Sequence, residues 1–212
     1  MKQMFGRGQT VLFLGDSITD CGRNREEVAS LGTGYPAKVA HIHHALYADN
    51  QVRFINKGLS GARISDLISM NTTDILEIAP DFISILVGIN DVWRRYDANT
   101  PRPVREFAAH YASLLELIKS SLPQTTILIM EPFLLPTMPD KACWREDLDP
   151  KIQIVREMAA RYADYYIPLD GMMAANCVAK YRPEELSADG VHPTDTGHAL
   201  IASAFLKTLD IV

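Results

Sequence analysis

The chain has 212 residues, 47% of them apolar and 22% charged, with a formal net charge of -5. That composition suits one domain with a buried core, read here as residues 1–212, and an ordinary soluble globular surface. No Lys or Arg run marks a nucleic-acid surface, and apolar runs such as Phe82–Val87 are far shorter than the roughly 20 residues of a membrane span.

The amino-terminal stretch from Met1 to Arg7 carries no apolar segment of a secretory signal. Cys21, Cys143 and Cys177 are odd in number and form no C-x-x-C pair. A disulfide framework or zinc site is therefore disfavoured, and reduced thiols in a cytoplasm are the expectation.

In chain order, the first predicted strand is Thr10–Gly15, followed by a helix over Gly34–Tyr47 with Pro36 near its start. A second strand covers Gln51–Asn56, and Ile64–Ile78 holds one or two short helices. The third strand is Phe82–Gly88. A long amphipathic helix over Val104–Ser120 is bracketed by Pro103 and Pro123. Thr125–Glu131 is a fourth strand, and 133–149 is a proline-interrupted loop suited to shaping a site. A helix over Asp149–Ala163, a weaker strand over Tyr165–Asp170 and a closing helix over Asp195–Leu209 complete the pattern. Alternating strands and helices, with strands apolar on both faces, predict an α/β fold: a three-layer α/β/α sandwich around a central five-stranded parallel sheet.

Ligands of such sheets bind beyond the carboxyl ends of the strands. The residues there are Gly15-Asp16-Ser17, Asn56-Lys57-Gly58 and Gly88-Ile89-Asn90-Asp91. Ser17 at a strand-to-helix turn is either a helix cap or a nucleophile that needs a base. His192 in Asp189-Gly190-Val191-His192-Pro193 is a candidate base with Asp189 to orient it, or part of an ordinary Asp-Gly turn. Gly58 and Asn90 are either turn and cap residues or donors to an oxyanion.

Together these blocks resemble the SGNH, or GDSL-type, hydrolase family: Gly15-Asp16-Ser17-Ile18, Asn56-Lys57-Gly58-Leu59-Ser60-Gly61, Gly88-Ile89-Asn90-Asp91 and Asp189-Gly190-Val191-His192-Pro193. Ile18 stands where the name motif has leucine. The resemblance implies a flavodoxin-like sheet and a serine esterase. In it Ser17 is the nucleophile, His192 the base and Asp189 its partner, with Ser17, Gly58 and Asn90 as the oxyanion hole. Asp16 becomes a buried hydrogen-bonding residue and Asp91 a brace for the Asn90 loop. Neither cofactor nor metal is implied.

The stretches Gly15–Arg23, Leu31–Tyr35 and Gly88–Arg94 are similar to bacterial SGNH esterases of acetylated xylo-oligosaccharides. That narrows the expected substrate to a small-molecule ester with a short acyl group on a carbohydrate. Trp93, Arg94 and Tyr96 follow Asn90 directly and are candidate sugar contacts, an aromatic platform and hydroxyl donors. A lipase of longer acyl chains, a metal-dependent hydrolase using His192 and His198, and a non-catalytic sugar- or anion-binding module are the competing expectations. The oligomeric state is open, a homo-oligomer included. Gly32-Thr33-Gly34-Tyr35-Pro36-Ala37 fits a dinucleotide fingerprint formally, but lies far from the end of the first strand and contains a proline.

Overall fold

The computed structural model describes residues 5–212, with the side chains of 70–74 left aside; residues 1–4 of the amino-terminal stretch lie outside it. Its strands are β1 (Thr10–Gly15), β2 (Arg53–Gly58), β3 (Phe82–Leu86), β4 (Thr126–Met130) and β5 (Tyr165–Ile167). They pair in parallel in the order β2-β1-β3-β4-β5. The chain moves outward from β1 in one direction to β2, then crosses to β3 on the other side. The crevice beyond Gly15, Gly58 and Leu86 is thus the switch point of the sheet.

Strand side chains alternate between two apolar cores. Val11, Phe13, Phe54, Leu128 and Met130 face one layer, which includes α2 (Tyr35–Leu46) and α9 (Asp195–Thr208). Leu12, Leu14, Ile55, Ile83, Ile85, Ile127 and Ile129 face the other, built on α3 (Ile64–Ile78) and α5 (Val104–Ser121). Both faces are buried, so the strands read as mostly apolar runs rather than alternating ones, broken by polar residues such as Asn56 in β2 and Ser84 in β3. No described helix is long and apolar enough to cross a membrane.

Several elements differ from the sequence expectation. The segment 64–78 is one helix. The helix expected to start near Ser17 is the four-residue α1 (Ser17–Asp20), while α4 (Ile89–Asp97), α7 (Leu169–Ala179) and α8 (Pro183–Leu186) have no counterpart among the predicted elements. Asp170 belongs to α7, since β5 ends at Ile167. The 133–149 loop contains a 3₁₀ helix, Pro139–Trp144, running into α6 (Arg145–Tyr162), so Pro150 lies inside that helix rather than at its start.

The crevice is held together by Asn56, buried near the end of β2. Its side-chain amide donates to Thr19 O at 2.7 Å and Leu31 O at 2.9 Å, and its oxygen accepts the Gly58 N–H at 2.8 Å. Truncation would strand an N–H and two carbonyls away from water. Asn56→Ala is expected to lower unfolding stability by about 2–4 kcal/mol, read from urea denaturation; a change below about 0.5 would show that these bonds are dispensable.

Candidate active site

β1 ends by delivering Ser17 into the crevice. Asp16 is the cap of α1, its Oδ1 accepting the Ile18 N–H at 3.0 Å. Ser17 is therefore the first helical residue and not the cap, which leaves its hydroxyl uncommitted to the backbone. No described hydrogen bond takes its own N–H. Asp16 is only 1% exposed, and its Oδ2 has no hydrogen-bond partner. Burial pushes this carboxyl up to about 7, against the pull of the Ile18 N–H and of His192.

The turn after α8 supplies the second part. A bridge between Ser187 and Pro193 closes it, and the Ser187 hydroxyl donates to His192 O at 2.8 Å. Within the turn, Asp189 Oδ1 accepts the N–H groups of His192 at 2.7 Å and Val191 at 2.9 Å. Its other oxygen meets His192 Nδ1 at 2.7 Å. With the Nδ1 proton directed at Asp189, Nε2 is left to accept the Ser17 hydroxyl, 3.0 Å away.

Electrostatics follow from these contacts. Burial raises the Asp189 carboxyl, but the hydrogen bonds from the His192 ring and from the His192 and Val191 N–H groups outweigh it. The result is well below the usual carboxylate range. His192 is raised from its ordinary value, first by the Asp189 hydrogen bond; burial opposes this, the charges of Asp189 and Asp16 add to it, and Lys141 lowers it.

The two glycines of the second block, Gly58 and Gly61, are placed differently. β2 runs two residues past the predicted end, so Gly58 is its last residue, paired with Gly15. Its N–H is committed to Asn56, and a Cβ there would lie 2.2 Å from the Asp20 backbone nitrogen. Gly58 is thus a packing glycine beneath the α1 turn. Gly61 lines the crevice instead, in the left-handed region at φ +81 that favours glycine. No described hydrogen bond takes its N–H. Asp20, which the sequence reading passed over, holds this turn by accepting the Ser60 N–H at 3.1 Å and pairing with Arg25 at 2.7 Å. Its appearance three residues after Ser17, among arginines, was the available signal.

Asn90 lies in the first turn of α4, buried except for the face it turns to the crevice; its amide donates to Ala62 O at 3.0 Å, leaving a second hydrogen free. Asp91 accepts the Ile64 N–H at 3.0 Å and lies 3.4 Å from Arg102, so it ties α4 to the start of α3. Burial raises its carboxyl to about 6.

Ser17, Ser60, Gly61, Asn90, Trp93, Arg94, Asp97 and His192 line a cleft of about 320 Å³. The Trp93 ring lies 5.7 Å from that of His192, and Arg94 pairs with Asp97. Tyr96, expected beside them, is not in the lining: one turn further round α4, it stacks on Trp144 at 5.1 Å, its hydroxyl donating to Cys143 O. His198, the other histidine of the metal-dependent alternative, is buried. Its Nδ1 accepts the Tyr35 N–H at 3.1 Å, and Nε2 lies 3.2 Å from Cys21 Sγ. Both nitrogens of His198 are thus engaged away from His192, and among the described residues no cluster of His, Cys, Asp and Glu is placed to hold a metal.

The GDSL-like lipase/acylhydrolase family matches residues 13–200 of the chain. An acetylxylan esterase of Geobacillus stearothermophilus is 36% identical, over 96% of this chain and 95% of that one. The crystal structure of Axe2, an acetylxylan esterase of the same organism, superposes with a TM-score of 0.87 at 33% identity, covering 98% of this chain and 96% of that one. A GDSL-like lipase structure from Parabacteroides merdae gives a TM-score of 0.92 at 28% identity, with 98% of each chain covered. With the family covering most of its length, the chain belongs to the GDSL-like lipases/acylhydrolases and is a carboxylic ester hydrolase.

Proposed function

We propose that the protein removes short acyl groups, acetyl foremost, from a carbohydrate alcohol such as an acetylated xylo-oligosaccharide, by two-step transfer through Ser17. The observation that carries this reading is the hydrogen-bonded line from Asp189 through His192 to Ser17, at 2.7 and 3.0 Å. Ser17 Oγ attacks the ester carbonyl carbon as His192 Nε2 takes its proton. Asp189 holds the ring and stabilises the imidazolium. The tetrahedral oxyanion is held by the N–H groups of Ser17 and Gly61 and the free amide hydrogen of Asn90. His192 then gives its proton to the departing alcohol. Water, deprotonated by the same imidazole, attacks the acyl-serine and frees the acid.

The cleft supports a short acyl group on a polar alcohol. Among the described residues Trp93 is its one large apolar side chain, whereas Ser60, Arg94 and Asp97 present donors and acceptors suited to hydroxyls. A long acyl chain would need an apolar wall that this lining does not supply. The relatives point the same way: the curated relative is an acetylxylan esterase, and Axe2 is also an acetyl-xylooligosaccharide esterase.

Ser17→Ala is expected to abolish hydrolysis of p-nitrophenyl acetate without altering the thermal transition, and retained turnover would refute the nucleophile assignment. Asn90→Ala should lower kcat by about 10²–10³ with little change in KM; a loss confined to KM would mean that Asn90 binds ground state and transition state alike. The base works only when neutral, and Asp189 raises its pKa, so kcat/KM should rise with pH through a midpoint above 6.5. Asp189→Asn should move that midpoint down. A midpoint unaffected by this change would remove Asp189 from the assignment.

A further inference from the structure

Lys141 lies on the Pro139–Trp144 helix and is only 9% exposed, an unusual place for an ammonium unless it is paired. It does not form a simple ion pair. Its Nζ donates to the main-chain oxygen of Asp189 at 2.7 Å, with Asp189 Oδ2 further off at 3.9 Å. The same ammonium stands 4.7 Å from the centre of the Trp93 ring and 5.3 Å from that of Trp144. One cation therefore touches the turn that carries Asp189 and His192 and the aromatic wall that lines the cleft.

The support behind it is thin. The segment that carries Lys141 stands over an apolar cavity of about 300 Å³ lined by Leu134, Leu135, Met138 and Ala142, with Arg145 and Asp170 at its polar side. Its ties to the Asp189 turn are the Leu135 N–H to Gly190 O bond at 2.9 Å and the Lys141 bond itself. Because Asp189 Oδ1 and Oδ2 are already occupied by His192 and Val191, the ammonium adds a hold on the backbone rather than competing for the carboxylate.

The charges facing His192 complete the case. Asp189 on its own turn and Asp16 at the end of β1 both favour the imidazolium, while Lys141 opposes it. From α4 comes the uncharged Trp93, with Arg94 and Asp97 neutralising each other in the cleft. From α9 comes His198, which burial holds neutral, its pKa pushed down to about 4. Among the described residues Lys141 thus offsets Asp189, and Asp16 to the extent that it is ionised, around the imidazole.

Building on the hydrolytic reading above, we infer that Lys141 is a positioning residue for ester hydrolysis: its ammonium clamps the Asp189–His192 turn against the Trp93 wall and sets the charge that the imidazole faces. Removing the charge leaves the base facing the Asp189 carboxylate unopposed and loosens its turn.

The test titrates the His192 ring by NMR in wild type, Lys141→Met, Lys141→Gln and Lys141→Arg, alongside kcat and KM for p-nitrophenyl acetate. Glutamine keeps a donor without the charge and serves if methionine impairs folding. Both neutral variants should raise the His192 midpoint by about half a unit or more, and should lower kcat roughly tenfold with KM little changed. Lys141→Arg should titrate as wild type does. A neutral, folded variant with the wild-type midpoint would overturn the inference. The titration needs no turnover, so a wild-type protein inactive on esters would defeat the hydrolytic reading while still deciding the role of Lys141.

Discussion

The contact between Ser17 Oγ and His192 Nε2 joins residues 175 positions apart, and every part of the site depends on its being held at hydrogen-bonding distance. Neither partner sits in a long element. Ser17 opens a four-residue helix, and His192 lies on a turn closed by one bridge. What fixes them is the layer beneath. β1 and β3 pair in register at Gly15 and Leu86, and α9, whose amino end follows the His192 turn, packs against α2. The sheet's switch point is thereby turned into a fixed distance between a hydroxyl and a base.

Placing polar groups at that point has an energetic consequence. Asp16 and Asp91 are both almost wholly buried, each with one oxygen lacking a hydrogen-bond partner. Burial raises both carboxyls, to about 7 and about 6. A carboxyl whose folded pKa lies above its unfolded value favours folding at low pH and loses that contribution as pH rises through the folded value. Asp189 has the opposite sign, being stabilising above the ordinary carboxylate range and losing that contribution only in strong acid. The neutral range in which His192 can act as a base is therefore one in which Asp189 is charged and supports the site, while Asp16 and Asp91 oppose folding.

The strands were legible because a parallel sheet covered on both faces leaves continuous runs such as 12–14 and 127–130, and three of the four family blocks fell at strand ends, the fourth lying on the turn after α8. Ser17, His192, Asp189 and Asn90 stood out as candidates because each is next to a strand end or a turn signal, and the structure brings Ser17, Asn90 and His192 to one cleft with Asp189 bonded to His192. Gly58 and Gly61 lie in one block and are not separated by sequence; the extension of β2 to Gly58 shows that the Gly58 N–H is already bonded, whereas Gly61 lines the cleft. Tyr96 was misplaced because α4 was not recognised as a helix: it is short and polar and begins after Gly88 at φ +133, a start that leaves little pattern. Lys141 was invisible from sequence, because its partners are a main-chain oxygen 48 positions away and two indole faces.

The most direct test of the account is where a covalent probe lands. Treatment with diethyl p-nitrophenyl phosphate, followed by peptide mapping, should place one diethylphosphoryl group on Ser17, with loss of esterase activity in proportion to labelling and no labelling once His192 is replaced by alanine. A label on any other residue, or full activity in protein labelled stoichiometrically at Ser17, would contradict it.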